Sequence, residues 1–157
     1  MTDSAVDKVV AALRAGGASG EVVHLTVDVP TAATAAAELG CEVGAIANSL
    51  IFAAGDEPVL ILASGAHKVD TKLVARTFGL PKLKRADPEF VYAAAGQRVG
   101  GVAPVGHPSP LRTFVDTWLQ KYDTIWAAGG EAHTVFPTTF DELVRLTGGT
   151  PADVAGD

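Results

Sequence analysis

Ala47-Asn48-Ser49-Leu50-Ile51-Phe52-Ala53-Ala54-Gly55-Asp56-Glu57-Pro58-Val59-Leu60-Ile61-Leu62-Ala63 consists of two short apolar runs separated by a turn. Runs of this length bounded by Gly, Asp and Pro read as a hairpin of two largely buried strands rather than as helices. The flanking segments supply the helices, so a single compact α/β (α+β) domain is expected.

Upstream, Ser4 is placed to cap a helix with Val6, Val9, Val10 and Leu13 on one face, ended by Gly16-Gly17. Val22–Val27 reads as a strand that exits at Pro30, and a second helix runs from Thr31 to Leu39, closed by Gly40. Downstream, Asp70 is a cap for a helix bearing Leu73, Val74 and Phe78. Asp87-Pro88 opens another helix, with Asp as cap and Pro in the first turn, running toward Ala95. Leu111–Leu119 shows some alternation, and Thr124–Ala128 and His133–Phe136 read as short strands. Thr139 with Glu142 resembles a capping box for a last helix through Leu146. The Gly, Pro, Asp and Ala residues from Gly148 onward predict a frayed tail, so the domain is drawn over 1–150 and the disordered tail over 151–157.

The chain has 157 residues, 48% of them hydrophobic and 19% charged, which is enough for one substantial core. No apolar run approaches a membrane span and the N-terminus lacks a signal-peptide pattern, so a cytoplasmic protein without membrane contact is expected. The lone Cys41 excludes an internal disulfide framework, and no two of His24, His67, His107 and His133 show close zinc-motif spacing. A net charge of −6 argues against coating duplex DNA through phosphate neutralisation, but leaves room for a small footprint on an RNA end. Cys41 reads as a small buried hydrophobe before it reads as a nucleophile, and His24 and His133 as structural or surface residues.

The chain lacks the phosphate loop G-x-x-x-x-G-K-[ST], the dinucleotide pattern G-x-G-x-x-G and the nucleophile elbow G-x-S-x-G. Instead, Gly100-Gly101-Val102-Ala103-Pro104-Val105-Gly106-His107 packs three glycines and a proline into the seven residues before a histidine. Such a loop lets backbone approach a ligand and can aim main-chain N–H groups at an oxyanion without a side-chain nucleophile.

Within that loop Gly100-Gly101-Val102-Ala103-Pro104 is a G-x-x-x-P pattern, followed by Gly106, Leu111, Phe114-Val115-Asp116 and Ile125-Trp126-Ala127-Ala128-Gly129-Gly130. Lys68-Val69-Asp70, Lys72-Leu73-Val74-Ala75 and Ala86-Asp87-Pro88 precede it. In this order the motifs closely resemble the YbaK/EbsC family of aminoacyl-tRNA deacylases, relatives of the inserted editing domain of bacterial prolyl-tRNA synthetase, from about Val22 to Leu146. The resemblance implies a curved mixed sheet with a barrel-like core and a freestanding deacylase. Its substrate would be the aminoacyl-tRNA 3′ end, with an aminoacyl-tRNA synthetase as a further partner, and it would need no metal or organic cofactor.

On that resemblance Gly100 and Gly101 hold the ester carbonyl through backbone donors, while water, a ribose hydroxyl or a substrate thiol attacks. Asn48 stands where the family commonly has a lysine important for activity; it can orient a hydroxyl or amine but lacks the charge, or it is only a strand-end residue. His107 is a candidate acid or base. The substrate-binding candidates are Ser49, Lys68, Lys72, Val102, Pro104, Asp116, Gly129 and Gly130. Asp116 either fixes the substrate amino group or satisfies nearby backbone donors, the lysines either meet phosphate or are solvated, and Gly129-Gly130 either wall the pocket or turn a strand end. A non-catalytic module that keeps the pocket is the alternative function, and hydrolysis of an unrelated activated ester is a third.

Overall fold

The hairpin read from the sequence is the centre of the sheet. In the structure, a computed structural model describing residues 4–156, β2 (Ile46–Ala54) and β3 (Glu57–Ser64) pair antiparallel from Ala47↔Ser64 to Ala54↔Glu57. Gly55 opens the two-residue turn at φ +64°, the conformation a II′ turn asks of its first central residue.

On one side, β5 (Arg112–Asp116) runs parallel to β3, and β8 (Thr150–Ala152) parallel to β5. On the other, β6 (Ile125–Ala128) runs parallel to β2, then β7 (Thr134–Thr138) and β1 (Val23–His24) follow antiparallel. A further strand, β4 (Leu83–Arg85), pairs with the far end of β2. The eight-stranded mixed sheet is open, with β1 and β8 at opposite edges rather than closed on each other.

Five helices cover it: α1 (Ala5–Ala15), α2 (Ala32–Leu39), α3 (Thr71–Phe78), α4 (Pro88–Ala95) and α5 (Phe140–Thr147). Ser4, Thr31, Asp70, Asp87 and Thr139 each accept the backbone N–H three residues on; the four N-caps read from the sequence are made, and Thr31, read there as the first helical residue, is a fifth. Glu142 does not complete a reciprocal box. Its carboxylate accepts from the Ser19 backbone, the Ser19 hydroxyl and Thr138 Oγ1, tying the loop after α1 to α5.

Strand alternation sends side chains to two faces. Leu60, Leu62, Ala47 and Ile51 pack with Val9 and Leu13 of α1, Val91 of α4 and Leu143 of α5; Val59, Ile61 and Ala63 pack with Val74 of α3 on the other face. Beside the second cluster, Ala32, Ala35 and Ala36 of α2 pack on Ile46 and Val135. None of the described helices is long and apolar enough to cross a membrane.

Three expectations need correction. Val22–Val27 forms only the two-residue β1, both residues exposed, because its sole strand partner is β7 and the chain leaves toward α2. The strand β4 went unread because Leu83-Lys84-Arg85 has no period of its own; β2 recruits it.

The tail is not frayed over its described residues. Phe114↔Thr150 to Asp116↔Ala152 are in register, Val154 is fully buried, and Asp70 N donates to Val154 O at 2.7 Å. Turn-forming composition misled because pairing with β5, not local propensity, orders these residues. Truncation after Gly149 is therefore expected to cost at least the ~1.5–3 kcal/mol of one buried Val side chain, read as a lower urea midpoint; an unchanged midpoint would refute the docking.

Candidate active site

The outer edge of β2 is split. β6 pairs with it at Ile46 and Ala47, β4 at Phe52 to Ala54, and Asn48–Ile51 between them have no strand partner on that side. Gly65 N donates to Ile46 O at 2.8 Å, so with Ala47↔Ser64 in register, residues 46, 48, 50 and 52 turn their main-chain groups toward β3. Residues 47, 49 and 51 turn theirs away. Ser49 thus directs its N–H and C=O into the gap, and its Oγ is buried with no hydrogen-bond partner among the described residues.

A cleft of ≈ 730 Å³ fills this gap. Its floor is Ile46–Phe52; Pro30, Thr31 and Ala35 wall one side, Trp126–Ala128 another, and Val99, Gly100 and Val102 a third. The ionisable groups in the lining are His67, Lys68 and Arg85, all bases, in a chain of net charge −6. Such a cleft focuses positive potential and favours an anionic ligand.

Gly100 sits at φ +95° in a turn closed by Gly101 N donating to Arg98 O at 3.1 Å, the third position of a type II turn, which needs glycine. That bond consumes the Gly101 N–H, and Ala103 N donates to buried Gln97 Oε1 at 2.7 Å. The N–H groups of Gly100 and Val102, both in the lining, have no acceptor among the described residues. The donors available to a ligand are therefore Gly100 and Val102, with Gly101 as their support.

His67 enters the lining where the chain leaves β3. Its Nδ1 lies 2.7 Å from Asp116 Oδ2, the side chains being 6% and 1% exposed, and its ring packs tilted at 53° against Trp118 with centroids 4.7 Å apart. Asp116 also accepts from Ser64 N at 2.9 Å through Oδ2 and from Trp118 N at 2.9 Å through Oδ1. Sequence reading gave His67 no part in the site and passed over Arg85; Arg85 reaches the cleft only because β4 pairs with β2.

Of the sequence candidates, Asn48, Ser49, Lys68, Gly100 and Val102 line the cleft. Others do not. Asp116 lies outside the lining, where it accepts from two backbone N–H groups and meets His67 of the lining. Lys72 is exposed on α3 outside the lining, and Pro104 is buried behind the loop. Gly129 and Gly130 are packed instead against Thr134 and the start of α1: an added Cβ would come 2.9 Å from Thr134 Oγ1 and 3.1 Å from Ala5 backbone.

His107 also stands outside the lining, and its Nε2 donates to Ala103 O at 2.8 Å, stapling the loop from behind. Burial pushes its pKa below the usual 6.5, the bond to Ala103 offsetting part of that. The unfolded chain then binds a proton near pH 6.5 that the folded one refuses, so stability is full above this pH and falls as pH drops toward the folded pKa. The expected slope is at most ~1.4 kcal/mol per pH unit; His107→Gln should flatten it in denaturation series between pH 7 and 5, and an identical slope would refute the assignment.

Fold and site together define a class: a mixed-sheet domain whose split central strand opens a basic, main-chain-lined ligand cleft. The chain belongs to the aminoacyl-tRNA editing domain family, whose model matches residues 26–146. It is 32% identical over 128 residues to the uncharacterized protein YwhH of Bacillus subtilis (strain 168), covering 81% of each chain. It is 35% identical over 91 residues to a proline–tRNA ligase of Nitratidesulfovibrio vulgaris (strain Hildenborough), covering 58% of this chain and 16% of that enzyme. A crystal structure assigned to a proposed trans-editing enzyme for prolyl-tRNA synthetase superposes with a TM-score of 0.90 at 38% identity, over 99% of both chains.

Proposed function

We propose that the chain is a freestanding trans-editing deacylase that hydrolyses the ester joining a wrong amino acid to the 3′-terminal adenosine of a tRNA. The observation that carries this reading is the cleft: entirely basic in its ionisable lining, walled by uncommitted main-chain donors, and sized for a small ligand. An aminoacyl ester is already activated, so positioning plus oxyanion donors suffice.

In this reading Gly100 and Val102 N–H receive the carbonyl oxygen, and Ser49 offers N–H, C=O and Oγ to the aminoacyl group. Lys68 and Arg85 face the terminal phosphate. A water adds to the carbonyl carbon, the acyl–oxygen bond to the ribose breaks, and the water's proton passes to the departing ribose oxygen, leaving the free amino acid and a ribose hydroxyl. The direct test presents the purified protein with a panel of mischarged tRNAs; no hydrolysis above the spontaneous rate for any pair would overturn it.

Asn48 favours a second reading, a binding module that keeps the pocket without turnover. Binding of a non-hydrolysable aminoacyl-adenosine analogue with an inert tRNA panel would select it. If the chain is a deacylase limited by a missing charge, Asn48→Lys should raise kcat/KM roughly five- to thirtyfold, since a charged donor contributes about 1–2 kcal/mol more than a neutral one. An unchanged kcat/KM would show that Asn48 is not where charge is lacking.

A further inference from the structure

Among the described residues, the two most exposed large apolar side chains are Tyr92, at 52%, and Val99, at 64%. Val99 is itself in the cleft lining, and Tyr92, on α4 one residue after the lining residue Val91, is joined to that side by Arg98, the chain neighbour of Val99. Arg98 completes the patch, its Cζ 5.2 Å from the Tyr92 ring centroid, and no carboxylate among the described residues pairs with it. The protein thus leaves an aromatic face and an uncommitted guanidinium in solvent, beside a cleft whose ionisable lining is all basic.

We infer that Tyr92 and Arg98 form a stacking platform for the single-stranded RNA nucleotide immediately 5′ of the terminal adenosine. The assignment rests on the deacylase reading for what occupies the cleft. An aromatic ring with a guanidinium plane is how proteins hold unstacked bases of single-stranded RNA, because every base offers a π face and each carries a phosphate. Arg98 adds a positive charge next to Val99 of a cleft whose lining already holds Lys68 and Arg85, which complements a phosphodiester chain and not an apolar protein surface. Val99 supplies apolar contact where the strand bends into the pocket.

The test uses wild type, Tyr92→Ala, Tyr92→Phe and Arg98→Ala on two substrates carrying the same wrong amino acid: aminoacyl-tRNA and the bare aminoacyl-adenosine ester. Tyr92→Ala should raise KM for aminoacyl-tRNA roughly fivefold to a hundredfold, the contribution of one stacked base, with kcat retained and the bare ester unaffected. Tyr92→Phe should behave as wild type, and Arg98→Ala should weaken only the tRNA substrate. Equal effects on both substrates, or none on either, would overturn the platform. If wild type turns over neither substrate, the deacylase reading fails by itself. The platform is then decided by fluorescence anisotropy with a short single-stranded RNA ending in adenosine: weaker binding by Tyr92→Ala supports it, whereas no binding by wild type, or equal binding by both, refutes it.

Discussion

Gly101→Ala is expected to cost about 1–3 kcal/mol of stability through overpacking, roughly 2–12 °C in Tm for a domain of this size, and to abolish most deacylation. The reason is backbone against backbone. A Cβ at Gly101 would lie 2.5 Å from the Glu131 carbonyl carbon, 2.6 Å from its Cα and 2.8 Å from Ala132 N, none of them the end of a flexible side chain. The loop cannot retreat freely either, since Val102, Ala103 and Val105 are buried in the main core cluster.

Relief must therefore come from moving Gly100 and Val102, the two lining residues whose N–H groups have no acceptor among the described residues. Displacing reacting geometry by about 1 Å costs on the order of a hundredfold in rate. Thermal melts and single-turnover deacylation of the same preparation measure both effects. A variant with wild-type Tm and rate would disprove the close approach of the loop to 131–132.

Asp116→Ala should be the most destabilising single change in the site, by about 3–5 kcal/mol, the cost of removing one partner from a buried charged network. Its carboxylate is 1% exposed and serves Ser64 N, Trp118 N and His67 Nδ1. Removing it strands two backbone donors next to β3 and releases the histidine from its setting in the cleft. Each unsatisfied buried donor alone costs ~1–3 kcal/mol.

Asp116→Asn provides the control, because the amide keeps the shape and one acceptor oxygen but surrenders the charge. It should fall between wild type and Asp116→Ala in urea denaturation, with kcat/KM reduced more than stability. If Asp116→Ala denatures at the wild-type midpoint, the network carries no stability and His67 must be held otherwise.

Much of the architecture was legible because its signals are local. Ser4, Asp70, Asp87 and Thr139 cap helices through a bond three residues away, and the Gly55 turn joins runs whose apolar length already says buried strand. The short strands β4 and β8 were not legible, since Leu83-Lys84-Arg85 and Thr150-Pro151-Ala152 become strands only when β2 and β5 offer edges. The site divides in the same way. Asn48, Ser49, Lys68, Gly100 and Val102 were marked by motif and do line the cleft, whereas His107 and Asp116, marked by the same motifs, prove to brace it from behind.

By itself, then, the sequence determined the alternation of helices and strands, the family and a loop that lines the cleft, because caps, turns and apolar runs act over a few residues. Tertiary structure alone decided where the cleft opens and which groups enter it. The gap at Asn48–Ile51 exists only because β6 and β4 claim different ends of one strand, and Arg85 and His67 reach it only through pairings across distant parts of the chain. Strand register and the orientation of main-chain donors are set by such long-range pairing, which no local pattern encodes.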